Sequence, residues 1–339
     1  MTEWSGGCFA AADFRLDKGG VLPVAELAYV HAGQLAPDGR NAVLMTHGYT
    51  STHRYVEPGS AAAEGSWSEL VGPGRAIDTD RFFVISSNAL GSCYGSSGPA
   101  SVDPVSGRRY GADFPRVTLA DSVRLQWGLV QFLGVKRLHA VAGPSMGGFQ
   151  ALEWGVQFPD DVDRLVVAVS GLQGPSGGAA AIDALTSQIR ADTGWNDGQP
   201  TPGAMTPLLT RLRLDTLRHY GMAERLHDDG LAPAQVARRM TELARSWAEG
   251  FDAWSLVSLR EAINDYDVSN RLDRIRAKVL LALGSTDLLF PGSQGPAVTQ
   301  RLRAAGVDAR FHQIDSRYGH LASGMDWQQW EPALRAFMA

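Results

Sequence analysis

Along most of this chain, short runs of consecutive apolar residues alternate with segments whose apolar residues recur at helical spacing. The apolar runs cover residues 41–47, 81–87, 165–170 and 278–283, with a further run opening at Leu138, and 309–314 reads as a last strand. Each ends at a glycine or a polar turn. Runs that short, apolar on both faces, are what buried strands of a parallel sheet require. Between them the spacing predicts helices over 121–133, from Met146 onward, over 293–305, and a closing helix from Asp326. Residues 1–40 read as a hairpin region: 21–30 alternates loosely, and Gly33 with Pro37-Asp38-Gly39 reads as a turn. Strands alternating with helices argue for a mostly parallel sheet covered on both faces.

The alternation stops between 171 and about 270. Helical spacing recurs there over 182–190, 205–219, 233–244 and 251–264, separated by Gly and Pro breaks, with no convincing strand. The expected organisation is therefore an α/β core from 1–170 and 271–339, interrupted by a helical lid insertion over 171–270.

Composition narrows the function classes. The net charge of −5 gives no electrostatic case for nucleic acid or an anionic membrane surface. No apolar run approaches a membrane span, and the first residues lack the basic-then-apolar pattern of a secretion signal. Two cysteines, Cys8 and Cys93, are too few for a disulfide framework and suit a reducing compartment. The expectation is a cytoplasmic protein. No His-Glu-x-x-His or Cys-x-x-Cys occurs, so neither a metal nor another cofactor is expected. The glycine-rich stretch 90–110 lacks a phosphate-binding fingerprint after a strand and reads as a structural loop.

The candidate chemistry lies where the run from Leu138 meets Gly143-Pro144-Ser145-Met146-Gly147 and a helix begins at once. Strand, sharp turn, helix, with serine at the apex, is the arrangement of a nucleophile elbow. Small residues must flank the serine because strand and helix nearly touch there. Glycine is abundant, and the same pattern recurs at Gly174-Pro175-Ser176-Gly177-Gly178. Only Ser145 has the strand-to-helix context, so Ser145 is the expected nucleophile.

A serine hydroxyl needs a base, and the base needs an orienting acid; on this fold they follow in the order Ser, acid, His. Four histidines compete: His219 and His227 in the insertion, His312 inside a strand, and His320 in a loop beyond the last strand. Catalytic groups converge on loops at that sheet edge, which selects His320. The same argument selects Asp287, just past 278–283, over Asp315, while Asp265 and Asp267 read as helix-terminating. The oxyanion calls for two backbone N–H donors: Met146 after the nucleophile, and Tyr49 in His47-Gly48-Tyr49, with His47 as a structural loop residue. Trp195, Trp254 and Tyr266 would wall a pocket only if the insertion folds over the elbow.

The segments Glu69–Asp80, Ser87–Pro99, Tyr110–Pro115, Ser145–Trp154 and Phe251-Asp252-Ala253 together give the chain a resemblance to the homoserine O-acetyltransferase-like family of α/β-hydrolases. The resemblance implies a helical lid on a hydrolase core, a triad of Ser145, Asp287 and His320, and a homodimer joined through the lids. It also implies two acceptor contacts that this chain departs from. An Asp directly after the catalytic His is here Leu321, and an Arg of the first lid helix falls at Thr186. The oxyanion loop His47-Gly48-Tyr49-Thr50 is closer to esterases than to the family's His-Ala-Leu-Thr. A zwitterionic acceptor in a buried pocket needs partners for both charges. The expectation is thus a branch resembling alkyl acetate esterases, which hydrolyses small uncharged esters. The alternative is an acyl-CoA-dependent O-acyltransferase with a different acceptor, and a non-catalytic binding protein on the same fold is a third reading.

Overall fold

A computed structural model describes residues 3–60, 66–175 and 178–339. Ser176 lies outside them. An eight-stranded sheet forms the frame. Strands β1 (Ser5–Arg15) and β2 (Val21–Ala32) make an antiparallel hairpin that reverses at Leu16–Gly20. The sequence reading named only the second of these strands; the Gly33–Gly39 turn instead leads from β2 into β3 (Ala42–Thr46). Two short strands, β4 (Val71–Gly72) and β5 (Ile77–Asp78), pair with each other, and β6 (Phe83–Ser87) returns to the main sheet.

Helix α1 (Leu119–Phe132) opens on Thr118, whose hydroxyl accepts from the Asp121 N–H while the Asp121 carboxylate accepts from the Thr118 N–H. There follow β7 (Leu138–Pro144), α2 (Met146–Gln157) and β8 (Arg164–Ala168). Five helices come next: α3 (Gly178–Ala191), α4 (Thr206–Tyr220), α5 (Met222–Asp228), α6 (Pro233–Ala248) and α7 (Ala253–Asn264). The short α5 was not anticipated. Then β9 (Lys278–Gly284), α8 (Gly295–Ala304), β10 (Ala309–Ile314), α9 (Ala322–Met325) and α10 (Glu331–Met338) close the chain. The sheet order is β1-β2-β6-β3-β7-β8-β9-β10, parallel from β6 to β10.

The central strands are buried on both faces, and their side chains sort by parity. Leu44, Val141, Val167 and Leu281 enter a core with α1 and α2, whereas Val43, Met45, Ala142, Val166 and Leu280 enter a second core with Trp67, Trp330 and α10. This period-two division between two apolar layers is why the strands read as unbroken apolar runs. A third apolar cluster lies among the inserted helices, built on Leu217, Tyr220, Met222, Leu226, Val236 and Met240. Gly221, between α4 and α5, has φ 92°, and a Cβ there would meet the Tyr318 carbonyl at 2.6 Å. A residue with a side chain would hold these helices off the segment leading to His320. Among the described residues, no helix is long and apolar enough to cross a membrane.

Candidate active site

Ser145 stands between the end of β7 and the start of α2 with φ 55° and ψ −121°. A non-glycine residue at positive φ is strained by about 1–3 kcal/mol and persists only where its surroundings determine it. Here they do. The Ser145 N–H donates to the Ala168 carbonyl at 2.9 Å, and the Ser145 carbonyl accepts from the Ser170 hydroxyl at 2.8 Å. A Cβ on Gly143 or on Gly147 would lie 2.3 Å from the Thr46 carbonyl oxygen, so both glycines are sterically required. Val169, next to Ser170, is itself at φ 42°, unusual for a β-branched residue. Strain on two adjoining strand ends thus shapes one turn.

The sheet edge brings three sequence-distant groups together. The Ser145 hydroxyl lies 2.9 Å from His320 Nε2, and His320 Nδ1 lies 2.9 Å from Asp287 Oδ2. The second carboxylate oxygen, Oδ1, accepts from the Leu289 and Phe290 N–H groups at 2.8 and 3.2 Å. Those two bonds fix the carboxylate orientation, and the carboxylate fixes the imidazole tautomer with Nε2 able to accept the serine proton. All three residues are buried. The His320 ring sits against the Tyr220 ring at 4.7 Å and the Phe290 ring at 6.0 Å, which limits its tilt.

The competitors lie elsewhere. Asp315 accepts from the Ser285 hydroxyl at 3.1 Å. Asp265 caps α7 and pairs with Lys18 and Arg116. His312 bonds the Gln329 carbonyl, His219 bonds the Asp215 carbonyl one turn back, and His227 lies in the last turn of α5. Burial pushes the Cys93 thiol up to about 12, so it stays protonated at neutral pH and is no rival nucleophile.

Met146 is the first residue of α2, where helical N–H groups point out of the helix. Tyr49 belongs to the loop after β3, beside buried His47. The His47 ring contacts Asn88 Oδ1 and the Gly48 carbonyl, each at 2.8 Å, consistent with a structural role. Among the described residues, no group of three or more His, Cys, Asp or Glu is placed to hold a metal ion.

Leu321 and Thr186, the two positions expected to meet the acceptor, take unanticipated surroundings. Leu321 is fully buried within the apolar cluster of α4, α5 and α6. Its side chain packs with the inserted helices. Thr186 lies half-buried on α3, and the buried arginine near the oxyanion loop is Arg213 of α4, whose Nη1 donates to Thr50 Oγ1 at 2.9 Å. Local sequence spacing carried no signal for Arg213. Trp195 and Trp254 stack on each other at 4.9 Å, with Arg190 over Trp254, and Tyr266 packs on Phe149. A cavity of about 690 Å³ runs between α4–α6 and the core, with Arg213, Arg225, Arg239 and Trp247 in its wall.

The profile of the alpha/beta hydrolase fold family matches residues 41–324. The homoserine O-acetyltransferase of Geobacter sulfurreducens is 36% identical over 350 residues, covering 96% of this chain and 95% of that protein. The chain belongs to the homoserine O-acetyltransferase-like family of α/β-hydrolases. The homoserine O-acetyltransferase of Caulobacter vibrioides is 35% identical, covering 100% of this chain and 96% of its own. Among solved structures, esterase E22 superposes with TM-score 0.87 at 26% identity, covering 99% of this chain and 100% of its own. The Bacillus anthracis homoserine O-acetyltransferase superposes with TM-score 0.86 at 25% identity, covering 100% and 98%. This is an enzyme of the α/β-hydrolase superfamily. Within the family, the full-length sequence relatives are named as transferases, whereas the structural neighbour E22 is named as an esterase.

Proposed function

We propose that the protein is an O-acyltransferase that carries a short acyl group on Ser145, taking it from an acyl-CoA thioester and giving it to a hydroxyl acceptor other than homoserine. The observation that carries the proposal is the Ser145–His320–Asp287 hydrogen-bond chain at a strained elbow. Support for transfer comes from relatives that align along the whole chain.

In this mechanism His320 Nε2 takes the Ser145 proton as Oγ attacks the acyl carbon. The N–H groups of Tyr49 and Met146 hold the resulting oxyanion. Collapse breaks the acyl–sulfur bond, and the thiol leaves with the proton from His320. The acceptor hydroxyl then gives its proton to His320 and attacks the acyl-serine, and collapse of the second oxyanion returns the proton to Ser145. The Asp287 carboxylate stabilises the imidazolium. An acceptor with an ammonium group would need a carboxylate facing it; the family's acid after the histidine is Leu321 here, which is the reason homoserine is set aside.

A second reading is favoured by the same Leu321 and by the likeness to esterase E22: water takes the place of the acceptor, and small uncharged esters are hydrolysed. One set of assays separates the readings. Acetyl-CoA should acetylate Ser145, and thiol release should rise saturably with a hydroxyl acceptor. Ethyl acetate hydrolysis without any thioester turnover would replace transfer by hydrolysis. Thiol release saturating with millimolar homoserine would restore homoserine as the acceptor.

A further inference from the structure

The loop that supplies the second oxyanion donor is held from outside the core. Residues 47–51 leave β3 with one backbone hydrogen bond of their own turn, Ser51 N–H to the Gly48 carbonyl at 3.1 Å. On the core side the His47 ring contacts Asn88. On the other side three inserted helices reach the loop. The Tyr49 hydroxyl donates to the Leu256 carbonyl of α7 at 2.6 Å. The Trp247 indole N–H of α6 donates to the Thr50 carbonyl at 2.9 Å. Arg213 of α4 donates to the Thr50 hydroxyl at 2.9 Å. Trp247 is itself held in place, stacked on Phe251 at 4.6 Å with the Arg213 guanidinium 5.3 Å over its ring.

The physical consequence lies in the peptide planes. The direction of the Tyr49 N–H follows from the backbone torsions between His47 and Thr50. The Tyr49 side chain anchors that backbone at one point, and the Thr50 carbonyl anchors the next peptide plane. A backbone residue released from a single conformation regains conformational freedom, which blurs the direction of its N–H. An oxyanion donor acts only when it is aimed in advance, because reorganisation during the reaction costs rate. Unlike the triad, whose hydrogen bonds lie within the sheet-edge loops, this donor is aimed by residues some two hundred positions away in sequence.

We infer that Trp247, with the Tyr49 hydroxyl beside it, is a positioning residue for the oxyanion hole: the inserted helices aim the Tyr49 N–H at the developing negative charge. The inference rests on the proposed acyl-serine chemistry. It assigns the helices a part in transition-state stabilisation, beyond covering the site.

The test uses Trp247→Phe, which keeps a smaller aromatic ring at this position and removes the N–H donor. Substrate is p-nitrophenyl acetate. The probes are an alkyl trifluoromethyl ketone, which adds to Ser145 as a tetrahedral oxyanion, and the corresponding planar amide, which does not add. We expect kcat to fall on the order of tenfold to a hundredfold with KM little changed, somewhat less than removal of a whole oxyanion donor costs. Affinity for the ketone should fall by the same factor as kcat/KM. Binding of the amide, the pH profile and the thermal midpoint should stay near wild type. Tyr49→Phe, which removes the hydroxyl bonded to the Leu256 carbonyl, should give the same signature and stands in if Trp247→Phe folds poorly. Wild-type kcat in both variants, or equal losses for ketone and amide, would overturn the inference. A wild-type enzyme that the ketone does not inhibit would remove the acyl-serine reading itself, and the inference with it.

Discussion

The two halves of the site are held by different kinds of structure. The triad half is built at the ends of sheet strands: Ser145 after β7, Asp287 after β9, His320 after β10. Each residue is placed by the few positions around it and by the parallel register. The oxyanion half is a short loop whose side chains and carbonyls reach helices inserted between β8 and β9. The contrast teaches that nucleophile chemistry can be a local property of strand termini. On the proposed reading, aiming the transition-state donor depends on the insertion. A change in the inserted helices could therefore alter rate and substrate while every triad hydrogen bond remains.

That contrast can be broken from the triad side first. Ser145→Ala should reduce turnover by about 10⁴–10⁶ and abolish labelling by a serine-directed phosphonate, because nothing else in the site replaces the hydroxyl. Activity of more than a few per cent in that variant would sink the elbow assignment. Asp287→Asn should cost about 10³–10⁴ in kcat at little cost in folding, since the imidazole loses the group that sets its tautomer. Asp315→Asn, whose carboxylate bonds Ser285, should stay within about twofold of wild type. Equal losses in the two variants would erase the distinction between them.

The helical half is probed by Leu321→Asp. A carboxylate there would lie among Leu217, Tyr220 and Met222, so the substitution should destabilise by roughly 3–5 kcal/mol, read as a lower denaturant midpoint. It should not create homoserine-dependent transfer. A stable, homoserine-responsive variant would show instead that position 321 borders the acceptor directly.

The smallest expected effect concerns acid. His53, close after the oxyanion loop, is held down to about 3 from 6.5 by burial, with His47 and Arg54 adding to the effect. The unfolded chain takes up this proton near pH 6.5 and the folded chain only near pH 3. Between those values the unfolded state binds more protons, so stability falls as pH falls. The slope approaches about 1.4 kcal/mol per pH unit from this one group. His53→Gln should flatten urea-denaturation stability against pH between 6.5 and 4; an unchanged slope would mean that another group governs it.

The chain itself determined the frame and its chemistry-bearing corner. Parallel strands buried on both faces must be short apolar runs, which is why β3, β6, β8 and β9 were readable within a few residues. A turn as tight as that at Ser145 admits only small neighbours, so its glycines are visible in sequence. The order Ser145, Asp287, His320 then follows from which loops share an edge. Strand β1 escaped notice because it lies at the sheet margin with mostly exposed side chains, and its apolar stretch, residues 8–12, is mostly alanine and shows no alternation. The short α5 escaped because its seven residues span too few turns for a periodic signal. Only the tertiary structure decided that Trp247, Arg213 and Leu256 meet residues 49 and 50, and that Leu321 joins the helical cluster. Those contacts join surfaces of separate elements, and such pairings have no period, motif or spacing along the chain; they exist only once the inserted helices pack onto the sheet edge.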